Sequence, residues 1–508
     1  HKQAGDKHVE PVRVVFDGIR DRLSLIPVGI DVGSLDISAD GKTLLLTAAV
    51  AGRNNLYTYS IDPLAQEPPV AKQVTSSAGD KRSAQFTGDG KTAFYLDGGR
   101  IFSVTLADSK SKPLAVSAEM DVDFAHEKEV MFEEAWHWLR DNFHDPHMHG
   151  VDWDAIRKEY APRIAAATTP DGVRRLLSLM VGELDASHSG VRAGGHTALV
   201  TGRLGLRFDA TDYEQHGRFR ISEVVPLSPA AIAGIHAGEY LISIDDTRLD
   251  AGANLAQQLE NRVGHETRIG VAMQPDGKVE SFKVKPVNAR AEAELAYRSW
   301  VEANRRYVHR ISGGRLGYVH MPDMSEHSLQ QFYLDLDAEN TTRDGVVIDV
   351  RNNFGGFVNA YALDVLARRP YLSMIFRGMQ DSVAARSVLG QRALERPTVL
   401  ITNRVTLSDG EDFTEGYRAL GLGKVVGEPT AGWIIYTSNV PLIDGSSVRL
   451  PFITVMDAEN KPMELHPRPV DVPVERPLGE AYAGKDSDLD AAVKTLLQQL
   501  GGRLSGRK

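Results

Sequence analysis

Two short stretches of this chain carry residue types that could perform acyl transfer, and they lie far apart. One is Leu407-Ser408-Asp409-Gly410-Glu411 and the other is Asp185-Ala186-Ser187-His188-Ser189. A serine hydroxyl attacks a carbonyl efficiently when an imidazole takes its proton and N–H groups receive the charge that develops on the carbonyl oxygen. Ser408 follows Thr398-Val399-Leu400-Ile401-Thr402, which reads as a buried strand, and opens a helix whose apolar face includes Phe413, Tyr417 and Leu420. There its hydroxyl stands at a helix N-terminus, where free N–H groups stabilise negative charge, that of Asp409 being one natural donor. The same position suits a plain helix cap, which local sequence on its own favours. A second strand–turn–helix runs from Val346-Val347-Ile348-Asp349-Val350 into Arg351-Asn352-Asn353-Phe354-Gly355-Gly356. Paired glycines let a backbone approach a ligand closely, and Gly356 could give a second N–H, although glycines serve ordinary tight turns too.

Composition narrows the field. At 508 residues the chain is too long for one core, so about three or four domains are expected. With 42% hydrophobic and 25% charged residues it reads as an ordinary soluble globular protein. A net charge of −10 and the lack of a dense Lys/Arg stripe argue against nucleic acid and anionic membranes as partners. The absence of cysteine excludes disulfides, thiol nucleophiles and cysteine-based zinc sites, and leaves the compartment open. No apolar run approaches the roughly 18–20 residues of a membrane span, and no export signal is visible. Because the chain starts at His1 without a methionine, a natural chain extending further upstream is expected.

These residues must be positioned by several kinds of element. Leu35-Asp36-Ile37-Ser38-Ala39-Asp40-Gly41-Lys42-Thr43-Leu44-Leu45-Leu46 returns as Ala84-Gln85-Phe86-Thr87-Gly88-Asp89-Gly90-Lys91-Thr92-Ala93-Phe94-Tyr95. Each copy reads strand, Asp-Gly turn, strand, followed by a further alternating run (Leu56–Tyr59, Ile101–Val104). Two such copies at roughly fifty-residue spacing resemble propeller blades. Propellers close with about 4–8 blades, so further blades are expected upstream on a longer chain or on a partner chain. From about 125 to 195 the period becomes helical, with Phe132, Ala135, Trp136, Leu139 and Phe143 on one face and Thr169-Pro170 opening a second helix. His144, His147 and His149 cluster in a loop without helical ligand spacing, so no metal is expected there.

Residues 200–288 resemble a PDZ domain. Arg203-Leu204-Gly205-Leu206-Arg207-Phe208 is similar to its carboxylate-binding loop and first strand, and Val224-Val225-Pro226-Leu227-Ser228-Pro229-Ala230 and Ala237–Asp245 follow its later pattern. In such folds a peptide adds a strand to the sheet edge and backbone N–H groups hold its terminal carboxylate. A module that only packs against its neighbours fits the sequence equally. From 313 to 478 strands and helices alternate, and Leu489, Ala492, Val493, Leu496 and Leu497 mark a closing amphipathic helix.

Taken in order, Asp185–Ser189, Asn353–Val358, Leu407–Glu411 and Met463-Glu464 resemble the tricorn peptidases over essentially the whole chain, as the C-terminal half of a longer protein. The resemblance implies a multidomain α+β fold. It would hold the last blades of a β-propeller (1–122), a helical bundle (123–199), a PDZ domain (200–288) and an α/β catalytic domain of the crotonase/Clp type with a C-terminal helix (289–508). It implies Ser408 as nucleophile, His188 as general base, Ser187 and Glu464 completing a tetrad, and Gly356 and Asp409 as oxyanion donors, with Gly355 beside the substrate. No cofactor is implied. Glu464 stands in Met463-Glu464-Leu465-His466, which departs from the more usual Glu-Asn. The position at which characterised family members carry an acidic residue selecting basic P1 side chains falls at Met374, so a non-basic P1 preference is expected, with Asp381 close by. The family further implies oligopeptide substrates and a homo-hexamer. Its members are cytosolic in archaea and often exported in bacteria, and a periplasmic location is favoured here over a cytoplasmic one. Two rivals remain. A C-terminal-processing peptidase needs a Ser–Lys dyad, but its lysine position falls at Gly432-Trp433 and Lys424 comes too early. A catalytically silent peptide-binding scaffold would use only the PDZ and propeller surfaces.

Overall fold

The computed structural model describes residues 14–50, 53–77, 79–117, 119–194, 200–340, 343–369, 373–374, 377, 383–384 and 396–505. The chain divides into two units, His1–Val122 and Asp123–Lys508.

In the first unit the repeated alternation folds as two four-stranded antiparallel sheets. One holds β1 (Asp31–Ile37), β2 (Thr43–Val50), β3 (Arg53–Ser60) and β4 (Lys72–Gln73), and the other β5 (Lys81–Phe86), β6 (Thr92–Asp97), β7 (Arg100–Thr105) and β8 (Lys110–Pro113). Both Asp-Gly turns are built alike. The Ser38 hydroxyl donates to Asp40, and the Thr87 hydroxyl to Asp89, each at 2.6 Å. Leu45 and Leu56 from one sheet and Ala93, Tyr95 and Val104 from the other share a core, so each repeat buries what its neighbour leaves open.

The second unit begins with α1 (Phe124–Asn142), α2 (Trp153–Ala166) and α3 (Pro170–Gly182), opened by side-chain caps from Asp123, Asp152 and Thr169. All five apolar residues expected on the α1 face are buried. β9 (Gly190–Arg192) follows. Next come β10 (Leu206–Phe208), α4 (Ala210–His216), β11 (Phe219–Val224), α5 (Pro229–Ala233), β12 (Tyr240–Ile244), β13 (Thr247–Arg248), α6 (Leu255–Gln258), β14 (Thr267–Ala272) and β15 (Glu280–Val284). They form one sheet in the order β10-β11-β12-β14-β15, with β13 on β12 and β10 at an edge.

The last segment supplies a parallel sheet. α7 (Ala289–Ile311) leads into β16 (Leu316–His320), α8 (Glu326–Asn340), β17 (Gly345–Asp349), α9 (Asn359–Ala367), the short pair β18 (Ser373–Met374) and β19 (Val383–Ala384), and β20 (Thr398–Thr402). α10 (Asp409–Ala419), β21 (Gly423–Gly427), the hairpin β22 (Ile435–Pro441) and β23 (Ser447–Thr454), β24 (Val472–Pro473) and α11 (Ser487–Ser505) complete it. The sheet order is β16-β17-β20-β21-β24, all parallel. β16, β17 and β20 are buried along their whole length because helices cover both faces. Two local expectations shift. Leu420 is 52% exposed, so the buried stripe of α10 is carried by Phe413 and Tyr417. The helices α1–α3 do not close a bundle alone: Leu442, Val448 and Leu450 of the β22–β23 hairpin complete their core, and β23 pairs with β9.

Just past β17, Arg351 is 2% exposed. It donates to Asp349 at 2.7 Å, to Asp486 at 2.9 Å and to Asp488 at 3.0 Å, fastening the C-terminal segment to the sheet. Burial pushes the Asp488 carboxyl up to about 6, while Arg351 opposes the shift. Replacing Arg351 by Met strands these carboxylates and should cost about 3–5 kcal/mol in urea unfolding. An Asp488→Asn comparison adds a pH test. The folded pKa lies above the ordinary 3.8, so the contribution of Asp488 to stability should grow as pH falls from about 6 towards 3.8. A stability difference between the two proteins that stays flat over that window would contradict this account.

Candidate active site

β17 and β20 are neighbours, so the turns leaving their C-terminal ends meet, as they do in open α/β sheets. The Leu407 N–H donates to the Asn353 carbonyl at 3.0 Å, joining the two turns. The Asn353 side chain accepts from the Gly355 N–H at 2.9 Å and donates to the Met321 carbonyl at 2.8 Å. Gly355 has φ 79°, and a Cβ built there would lie 2.4 Å from the Ser408 Cβ. Only glycine lets this turn run so close to the serine. The N–H groups of Gly356 and Asp409 donate to no described residue.

Ser408 holds the N-cap position of α10, yet its side chain makes no capping bond. Its backbone sits at φ 56°, ψ −131°, a conformation that costs a non-glycine residue of order 1–3 kcal/mol. A serine retained for capping would not adopt it, so the structure disfavours the plain-cap alternative.

The Ser408 N–H donates to the Trp433 carbonyl at 2.9 Å. That turn is held by two buried carboxylates. Glu411 accepts from the Thr430 hydroxyl at 2.6 Å, the Gly432 N–H at 2.8 Å and the Trp433 N–H at 2.7 Å. Glu464, 6% exposed, accepts from the Ile434 N–H at 2.8 Å. Glu464 also takes the Ser187 N–H at 2.8 Å and the Ser187 hydroxyl at 3.1 Å. The Ser187 Oγ lies 2.9 Å from the Nδ1 of His188. The Ser408 backbone and the Ser187–His188–Glu464 group are therefore tied to adjacent residues of one turn.

A carboxylate only accepts, so the Ser187 hydroxyl donates to Glu464 and its lone pair receives the Nδ1 proton of His188. That leaves Nε2 of the imidazole as the proton acceptor. Burial, and secondarily the Arg449 guanidinium, pull the His188 pKa down to about 4, so the ring is neutral at pH 7. His188 has φ 58°, a second uncommon backbone conformation at the site.

The Asp409 carboxylate accepts from the Val358 N–H at 2.7 Å, the Asn359 N–H at 3.0 Å and the Asn359 side chain, all at the start of α9. Burial and neighbouring Asp409 push Asp412 up to about 7, and Tyr436 donates to it at 3.1 Å. Phe354, Phe357, Tyr361 and Trp433, on the turns and helix that frame Ser408, are exposed aromatics.

Other expected positions fall elsewhere. The backbone of Met374 pairs with Val383 in β18–β19, while its side chain and Asp381 lie outside the described residues. Lys424 is paired with Asp471 at 3.1 Å. His149 bonds the Leu184 carbonyl at 2.8 Å through Nδ1, which supports the loop that carries Ser187, and His144 bonds Thr454 at the end of β23 at 2.9 Å. Sequence reasoning assigned no role to Glu411, Asp412 or Arg449. Glu411 stood within a quoted motif, but its partners Thr430 to Trp433 are visible only in the fold.

Comparison with known proteins adds a family setting. Residues 124–182 match the tricorn protease C1 domain and residues 315–472 match peptidase family S41. Tricorn protease homolog 1 of Streptomyces coelicolor is 30% identical over 96% of this chain and 47% of its own length. The tricorn protease of Thermoplasma acidophilum is 28% identical over 93% of this chain and 45% of its own. The crystal structure of the tricorn protease superposes with a TM-score of 0.78 at 23% identity, covering 92% of this chain and 46% of that one, which shows a shared fold. The chain spans about half the length of the curated relatives it matches.

Removing the Glu464 carboxylate would leave the N–H groups of Ser187 and Ile434 without an acceptor. Glu464→Ala should lose about 1–3 kcal/mol in urea unfolding, and Glu464→Gln, which keeps a carbonyl acceptor, should lose less. Equal stability of the wild type and Glu464→Ala would show that this carboxylate does not hold the turn.

Proposed function

The chain is a tricorn protease homologue with a peptidase family S41 domain, and from that premise we propose that it hydrolyses oligopeptides through a Ser408–His188–Ser187–Glu464 tetrad. One observation carries this reading: the hydrogen-bonded chain from Glu464 through Ser187 to His188, fixed to the same turn as Ser408. Neutral His188 takes the Ser408 proton at Nε2, and Ser408 attacks the peptide carbonyl. The Gly356 and Asp409 N–H groups receive the oxyanion, and His188 returns its proton to the leaving amine. Water then hydrolyses the acyl-enzyme by the same route. Ser187 and Glu464 hold the imidazole in the tautomer that leaves Nε2 basic, and the Glu464 charge offsets the imidazolium as it forms.

The finer architecture belongs to this proposal. The two sheets of the first unit serve as propeller blades completed by further blades on a longer chain or a partner, and residues 200–288 serve as a PDZ domain. The parallel sheet is of the crotonase/Clp type, and the assembly is a homo-hexamer. With Met374 at the expected P1-selecting position, the enzyme prefers non-basic P1 residues. A cleavage profile of a peptide mixture dominated by P1 Lys or Arg would contradict that preference.

A fluorophosphonate probe should label the wild type and fail to label Ser408→Ala, whose kcat should fall by at least ~10³-fold. Absence of both labelling and peptide cleavage in the assembled wild type would favour the silent scaffold. The pH profile tests the base. The acid limb of kcat/KM should reflect His188 at about 4. Arg449→Ala removes a nearby cation and so favours the imidazolium, which should move the limb to higher pH. A limb that stays in place would detach Arg449 from the base.

A further inference from the structure

The groove between β10 and α6 has a volume of about 410 Å³ and is lined chiefly by Leu204, Leu206, Phe208, Leu255, Ala256 and Leu259. β10 is an edge strand whose partner in the sheet is β11. At the head of the groove the chain turns sharply at Gly205, with φ 79° and with room for no side chain, since a Cβ would meet the Ser228 Cβ at 2.1 Å. The Gly205 N–H does not point into open solvent. It donates to Oε1 of Glu292 at 2.9 Å, and Arg207 reaches the same oxygen at 3.3 Å. Glu292 belongs to the first turn of α7, outside the sheet module, and its side chain is 13% exposed. A backbone N–H and a guanidinium converging on one carboxylate oxygen form a carboxylate receptor. The receptor is filled from within the chain.

We propose that Glu292 is an internal plug of this groove: it occupies, from within the chain, the place that a PDZ domain offers the C-terminal carboxylate of a peptide with an apolar last residue, and so holds that receptor shut. A terminal carboxylate offers the same oxygens as Glu292, the apolar lining suits an aliphatic final side chain, and the open edge of β10 suits an added strand. Glu292 is thus a competing ligand tethered at the site. If it occupies the receptor nine-tenths of the time, the apparent affinity for a peptide falls about tenfold. The inference rests on the PDZ reading of residues 200–288 and not on the peptidase chemistry, so its failure leaves the Ser408 site untouched.

Binding can be read by fluorescence anisotropy with a dye-labelled peptide ending in Leu-Val, as the free acid and as the C-terminal amide. The full chain carrying Ser408→Ala serves as the parent, so that the probe is not consumed. Adding Glu292→Ala should tighten free-acid binding about tenfold or more, Glu292→Gln should give a smaller gain, and the amide should show none. Filling the groove with Ala256→Trp on top of Glu292→Ala should abolish the gain. Should Glu292→Ala loosen the fold in a thermal melt, the Gln variant, which keeps the side-chain length and a carbonyl acceptor, carries the comparison. Equal affinities in the parent and both Glu292 variants, or a gain shared by acid and amide, would overturn the proposal.

Discussion

Two buried carboxylates, Glu411 and Glu464, hold the turn from Thr430 to Ile434, and the candidate site depends on that clamp. A charged carboxylate removed from water is costly unless donors surround it, so each fixes the geometry of the groups that satisfy it. Glu411 takes three donors from residues 430–433, all within reach of α10. Glu464 takes Ile434 on one side and Ser187 on the other. The turn therefore has little freedom, and its Trp433 carbonyl receives the Ser408 N–H. Through this turn a serine after one strand and a histidine from a distant segment are held in register with each other.

The frame around the clamp is built on the same principle. Asp409 satisfies backbone N–H groups that open α9, which places a negative charge where the helix dipole favours it. Burial, and secondarily that charge, push Asp412 up to about 7, and Tyr436 on β22 donates to it. A line of polar contacts thus runs from α9 through α10 to the hairpin that completes the helical core. On the opposite side His320 bonds the Arg351 carbonyl at 3.0 Å, and Arg351 gathers Asp349, Asp486 and Asp488. The glycine turn that follows Arg351 is anchored at its base by buried charge and at its tip by Asn353.

Much of this was legible in the sequence where the signal was local. The central parallel strands appear as short, largely apolar runs, the α1 face as a helical period, and the repeated Asp-Gly turns as matching twelve-residue copies. Ser408 was visible as a residue at a strand–helix junction, but whether it capped the helix depended on a φ of 56° that composition does not encode. Glu464 stood in an atypical motif, yet its position beside Ser187 bridges 277 residues of chain. The same holds for Glu411 and for the packing of Leu442 and Val448 under α1–α3. Their sequence neighbours carry no period that names a partner, because the partner is set by topology.

The Glu292 contact belongs to this long-range class, and the surrounding structure limits how it could open. α7 has 23 residues, about 34 Å of helix at 1.5 Å per residue. Beyond its first turn it is fastened to the parallel sheet. Tyr297 bonds His320 at 2.9 Å, Asn304 bonds Tyr318 at 3.0 Å, and Val301 and Val308 are buried in the core beneath. Moving α7 as a rigid body would break those contacts together and expose apolar surface. Release of Glu292 is therefore confined to its own side chain or to fraying of the turn that Asn288 caps through the Ala291 N–H at 2.8 Å. Either change is small beside the loss of a core contact, so the groove can open while the sheet that carries Arg351 and the glycine turn stays in place.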